Sequence, residues 1–263
     1  MVSFLRPFFA SVRVSFKMFM VDTPLRFYLS TEIPQLLMRV AFFMLAATYA
    51  GGAALGHFAL IGNAAQAITV AIMVPISNMV YIERTSGNLT LVMVTPASKV
   101  LTILGREGAS FVEGIVTTFI VLFLIGPVAG VPVSVLVGAL RALPVLLLIS
   151  VSVAGLALAV ACASFTTRVE VVLANATSSL LMVLAGVNVP LEALPRPLAI
   201  IGRCLPVTNG LLAFRAIAAG ATYADVLPHL LAEVEVAAAY VLVGLALFSL
   251  QLSRARRYGL EFS

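Results

Sequence analysis

Apolar stretches of about twenty residues, separated by short islands of charge, follow one another along this chain of 263 residues. A helix rising 1.5 Å per residue needs about 20 residues to cross roughly 30 Å of hydrocarbon. The pattern therefore predicts membrane-spanning helices. Residues 4–20 read differently. Leu5, Phe8, Phe9, Val12, Phe16 and Phe19 recur at three- and four-residue spacing, while Arg6, Arg13, Ser15 and Lys17 fall elsewhere on the wheel. An amphipathic helix lying in the membrane interface accounts for that stretch.

The spans follow in order. Pro34 opens the first, which runs to about Tyr49 and is closed by Gly51-Gly52. A second covers about 59–82, with a kink expected at Pro75. A charged loop from Glu83 to Glu107 leads to a third at about 107–127. Gly126-Pro127 and Gly130-Val131-Pro132 make a tight turn before a fourth at about 137–165. Thr166 to Glu170 is the next polar break, and a fifth span runs to about 187. Residues 188–228 are apolar but broken by Pro190, Pro195, Pro197, Pro206 and Pro228, and they hold Arg196, Arg203 and Arg215. Two short helices, near 195–204 and 208–220, fit there. The last span takes about 230–252, and Arg254, Arg256 and Arg257 stop it. The reading is a single all-α membrane domain over residues 1–263, with six spans and a re-entrant helical pair before the last.

Composition agrees: 62% of residues are hydrophobic and 10% charged, against about 25% charged in soluble domains. Basic residues set the orientation. With the N-terminus inside, cytoplasmic segments hold about twelve of the sixteen Lys and Arg, so both termini are expected in the cytoplasm. Nucleic acid is not an expected partner, because no basic run is interleaved with stacking aromatics and Trp is absent. Cys162 and Cys204 make no disulfide framework and fall on opposite sides of the membrane in this topology. No cleavable signal peptide is expected, since Arg6, Arg13, Lys17 and Arg26 interrupt the N-terminal apolar residues.

Catalytic chemistry has little to work with. A phosphate-cradling loop needs Gly-Lys followed by Ser or Thr, and neither Lys17 nor Lys99 follows a Gly. His57 and His229 stand without Cys or carboxylate at ligand spacing, so no metal site is expected. No Ser-His-Asp set is recognisable. Catalytic, cofactor and metal residues are therefore not assigned to this chain.

Two stretches stand out instead. The loop Glu83-Arg84-Thr85-Ser86-Gly87-Asn88-Leu89-Thr90-Leu91-Val92-Met93-Val94-Thr95-Pro96 places an apolar run outside any span. It either folds onto its own helix ends or docks on another protein, and a docking surface is the stronger reading. Residues 188–228 are either an ordinary outer loop or broken helices. Backbone freed by such breaks is tolerated in a membrane only when buried in protein or lining a wet cavity.

These stretches resemble the ABC-2 family of ATP-binding-cassette exporter permeases. In the first, Glu83, Arg84, Gly87, Leu89 and Pro96, followed by Gly105-Arg106, match that family's first cytoplasmic loop, with Asn88 and Thr90 where Thr and Glu are usual. In the second, Val189-Pro190, Leu194-Pro195, Pro206, Thr208, Arg215 and Gly220 match its spacing before the last span. The resemblance covers nearly the whole chain. It implies a permease subunit of an ATP-driven exporter in the cytoplasmic membrane. Two permease chains, identical or not, would act with a pair of nucleotide-binding ATPase chains that hold the ATP and Mg. It implies that residues 83–106 couple to the ATPase, with Leu89, Leu91 and Met93 as apolar contacts, and that Pro190, Arg203, Pro206, Arg215 and Gly220 belong to an outer re-entrant gate. The path would lie mainly between spans one, two and five, and the cargo would be an amphiphile such as a drug, lipid, glycolipid or peptide.

Intramembrane polar residues complete the list of candidates. Glu113 lies about six residues into the third span and is the one deep acid expected, with Arg106 seven residues earlier as an ion-pair partner. Asn63, Gln66, Asn78, Asn175 and Ser178 either line a polar path or hold helices together. Gly155 and Ala159 suit a close helix contact. The rival reading is a secondary transporter driven by an ion gradient, which predicts inverted repeats and paired broken helices; only one broken region and no repeat are present.

Overall fold

A computed structural model describes residues 12–17, 19–21, 24–85, 108–163 and 169–258; among them every regular element is helical and no strand occurs. A short α-helical turn (Leu25–Phe27) and a π-helical turn (Tyr28–Glu32) lead into α1 (Ile33–Thr85). Then follow α2 (Gly108–Val128), α3 (Val133–Arg141), α4 (Leu143–Ala163), α5 (Glu170–Leu184), α6 (Arg196–Arg203), α7 (Thr208–Ala218) and α8 (Leu227–Tyr258). By length and composition four of these helices can cross a membrane, or up to five if the bent pair α6–α7 counts as one span. The apolar part of α5, Val171–Leu184, is shorter.

α1 is two helices joined at Gly51 and Gly52, whose torsions leave the helical region, with Gly52 at φ 81°. A Cβ built on Gly56 would sit against the Thr48 side chain and 3.4 Å from the Met44 carbonyl oxygen. In a straight helix residues twelve apart are about 18 Å apart, so the chain folds back on itself at the glycines. The helix breaks at Gly51-Gly52, the place where the sequence predicts the first apolar stretch to close. The second arm keeps helical torsions through Pro75 and continues to Thr85, so Glu83 and Arg84 lie in its last turn rather than in a loop.

The fourth span is corrected. The expected start near 137 merges two helices: α3 ends at Arg141, Ala142 turns at ψ 10°, and α4 begins at Leu143. Pro144 is the physical reason, because its ring clashes with the preceding turn and it has no N–H to continue a helix from α3. The α3 helix packs instead on α7, so closely that a Cβ on Gly138 would collide with the Ala218 carbonyl. The final helix runs to Tyr258, so the arginines after residue 253 do not stop the helix itself.

The N-terminal stretch is helical over residues 12–17 and 19–21. Val12, Phe16 and Phe19 are half-buried as the wheel requires, but Ser15 is buried too. Its hydroxyl oxygen accepts the Ala109 N–H at 3.3 Å, satisfying one of the orphan donors at the start of α2. Ser15 lies with the polar residues on the wheel, and this bond is what lets its hydroxyl be buried.

The core is aliphatic and centred on the second arm of α1, with Leu60, Ile68, Ile72 and Met73 fully buried against Leu122, Leu146, Ile149, Leu211 and Phe214. His57 Nε2 contacts the Ala129 carbonyl at 2.8 Å, at the end of the bundle where α1 reverses. At the opposite end the Gln251 amide donates to the Cys162 carbonyl at 3.2 Å, joining α8 to α4.

Candidate functional site

The bent pair α6–α7 turns through 84°, and its two helices have the bounds expected from the prolines to within two residues. Val207, at φ 79°, takes the corner, and Pro206 is buried beside it. Thr208 Oγ1 donates to the Gly202 carbonyl at 2.7 Å and Asn209 Nδ2 to the Arg203 carbonyl at 3.1 Å. These two bonds close the corner and use carbonyls at the end of α6 that have no partner within the helix. Pro190 caps a single 3-10 turn (Leu191–Ala193), and Gly220, at φ 107°, ends α7. Arg203 is exposed on α6.

Arg215 is the centre of the arrangement. Its Nη1 donates to the Gly186 carbonyl at 2.9 Å, and its Nη2 donates to Phe58 O at 3.0 Å and Val187 O at 2.9 Å. The guanidinium carbon lies 3.4 Å from the Phe58 ring centroid, a cation–π contact. Gly186, at φ 76°, reverses the chain after α5 and turns its carbonyl inward. Gly62 leaves the opening, since a Cβ there would run into both the Val187 carbonyl and Arg215 Nη2. One side chain thus joins α1, the end of α5 and α7.

The polar candidates divide. Asn63 Nδ2 donates to Ala59 O at 2.8 Å and to Asn188 Oδ1 at 2.5 Å. Gln66 Nε2 donates to the Ser178 carbonyl at 3.0 Å. Thr118 Oγ1 donates to Ala64 O at 2.9 Å. These residues fasten the second arm of α1 to α5, its following turn and α2, so they hold helices together. Asn175 is exposed, and its side-chain amide donates back to Val171 O of the same helix at 2.9 Å. Asn78 is half-buried near the far end of α1.

Glu113 is half-buried on α2, close enough to Glu32 of the π-helical turn for the two like charges to repel, and its charge also acts on Tyr28. Tyr28 Oη and Thr117 Oγ1 are 2.7 Å apart, tying that turn to α2. The expected partner Arg106 lies outside the described residues, as do Gly87, Leu89, Leu91, Met93 and Pro96. For Glu83 and Arg84 only the backbone is described.

Glu113 is not the only deep acid. Glu233 on α8 is fully buried, and its carboxylate accepts Val207 N–H at 3.1 Å and Gly210 N–H at 2.9 Å. Sequence reasoning passed over it because its partners are backbone amides, which no residue pattern displays. The available signal is that α7 starts after Val207, which has no side-chain oxygen to cap it. Bound to a helix end in this way, Glu233 is part of the scaffold rather than a group free for ion translocation.

A family model described as ABC-2 family transporter protein matches residues 27–246. No curated protein and no solved structure matches the chain.

Proposed function

This chain belongs to the ABC-2 transporter family, and on that premise we propose that it is the membrane-spanning subunit of an ATP-driven exporter. Six spans are counted as both arms of α1, α2, α4, α5 and α8, with both termini in the cytoplasm. At 15 residues α5 covers only about 22 Å by helix rise, so the bilayer thins there or the Gly186 turn completes the crossing. ATP and Mg belong to a separate pair of ATPase chains, and a second permease chain completes the path. The cargo is an amphiphile, consistent with a chain that carries few charges between its apolar helices.

The observation that carries this reading is the continuity of the second α1 arm. It ends at Thr85, within the proposed 83–106 coupling segment, and at its other end offers the Phe58 carbonyl to Arg215. The helical rise from 58 to 85 is about 40 Å. A push on the loop by a closing ATPase pair reaches the outer helical pair along one rod. ATP binding changes the relative stability of two packings that the permease supplies. The N-terminal helix, bonded to the start of α2 through Ser15, is a second point on which the ATPase acts.

Two measurements test it. On this reading Leu89→Asp removes an apolar contact with the ATPase, a side chain that contributes about 1.5–3 kcal/mol when fully buried, so recovery of a nucleotide-binding ATPase with the tagged chain from native membranes should fall at least tenfold. Arg215→Ala should lower ATP-dependent movement of a fluorescent phospholipid analogue per assembled complex, with assembly preserved. Full ATPase recovery with Leu89→Asp, or absence of any ATPase partner on the unaltered chain, overturns the reading.

A further inference from the structure

The start of α7 is held from another helix. Val207 is the last residue before it, lies at φ 79°, is fully buried and contributes no side-chain oxygen to the exposed N–H groups of the first turn. Glu233 of α8 supplies both its oxygens to that turn, one to Val207 N–H and one to Gly210 N–H. The Asn209 backbone and Ser152 of α4 lie against the same carboxylate. Space is equally constrained: a Cβ on Gly210 would collide with Ile149 of α4 and come within 3.4 Å of the Glu233 carboxyl carbon. Five residues beyond Gly210, and so about 140° around the helix from it, Arg215 holds the other half of α7 to the Phe58, Gly186 and Val187 carbonyls.

We infer that Glu233 is a positioning residue: it fixes the N-terminal end of the re-entrant helix α7 to α8 and α4, so that Arg215 reaches its three carbonyls and α7 acts as one strut between the α4–α8 pair and the α1–α5 pair. The geometry is independent of transport; its importance for export rests on the gate reading above. A helix donor that loses a buried acceptor has no water to turn to, so release at one end loosens the whole strut. Gln in place of Glu233 keeps the volume but offers one acceptor oxygen, and its NH2 then faces an N–H.

The test uses the full chain in lipid nanodiscs, followed by hydrogen–deuterium exchange, with Glu233→Gln, Glu233→Asp, Arg215→Ala and the double variant Glu233→Gln/Arg215→Ala. Exchange across 207–218 should rise about tenfold in Glu233→Gln, while 143–163 stays within about twofold of the unaltered chain. Glu233→Asp retains both oxygens and should fall between the two, which keeps the test informative if the Gln variant does not fold. The double variant should exceed the stronger single variant only slightly, because either end frees the same strut. Unchanged exchange in Glu233→Gln, or full additivity in the double variant, overturns the proposal. ATP-dependent movement of the fluorescent phospholipid analogue per complex is read in parallel. If exchange rises and that movement is unchanged, the strut stands and it is the gate reading that fails.

Discussion

Gly155 and Gly244 decide how α4 meets α8. A Cβ on Gly155 would lie 2.6 Å from Val241 N and 2.8 Å from the Tyr240 carbonyl carbon, and one on Gly244 would lie 2.7 Å from the Gly155 carbonyl oxygen. Backbones in contact gain dispersion energy that any side chain between them would forfeit. Gly155→Leu should therefore destabilise the purified chain by at least the ~1–3 kcal/mol typical of overpacking, read as a lowered midpoint of thermal unfolding. Leu147→Ala, on the exposed side of the same helix, should leave that midpoint nearly unchanged. The sequence marked Gly155 as a contact residue but not its partner, since small residues recur in several of the apolar stretches. Arg215 was legible because its spacing from Pro206 matches a pattern. Glu233 was not, because what it recognises is a helix end.

Among the elements, the α1 reversal was readable and the α3–α4 corner was not. Adjacent glycines are the obvious place for a chain to take a positive φ, and Gly52 takes it. At the corner, residues 133–141 are as apolar as a span, so periodicity extended the span through them. The information lay in Arg141 followed by Pro144, and a lone proline in an apolar run is equally compatible with a kink. Tyr223 then covers the corner by donating its hydroxyl hydrogen to the Arg141 carbonyl. Replacing Gly51 and Gly52 together by Ala should cost about 1–2 kcal/mol at the left-handed position alone. It should also favour one unbroken helix over the hairpin, which size-exclusion chromatography would register as a smaller monodisperse fraction. The helical pair α6–α7 was located from its prolines, but its 84° bend and its fastening to the helices around it came only with the fold.

For the whole molecule, the orientation has a direct check. In a background lacking Cys162 and Cys204, a cysteine at Ser86 should resist a membrane-impermeant maleimide in intact cells and react after permeabilisation. A cysteine at Arg203, exposed on α6, should react in intact cells. The distribution of burial has a separate consequence. From Ala59 to Thr69 every residue except the half-buried Ile61 is buried, so this stretch is surrounded on all sides. Along α8, by contrast, Leu227, Leu231, Val234, Leu242, Val243 and Leu250 are exposed while Glu233 and Ala237 are buried. Scored residue by residue for heritable tolerance, the two helices should carry different signatures. Saturation mutagenesis read by the amount of folded chain should give a rhythm of about 3.6 residues along α8, with accepted and rejected positions alternating. Across 59–69 it should give one unbroken block of rejection in which Ala to Val is as unwelcome as Ala to Ser. Descendants of this chain can drift at the exposed positions of α8 while the eleven residues from 59 to 69 stay fixed.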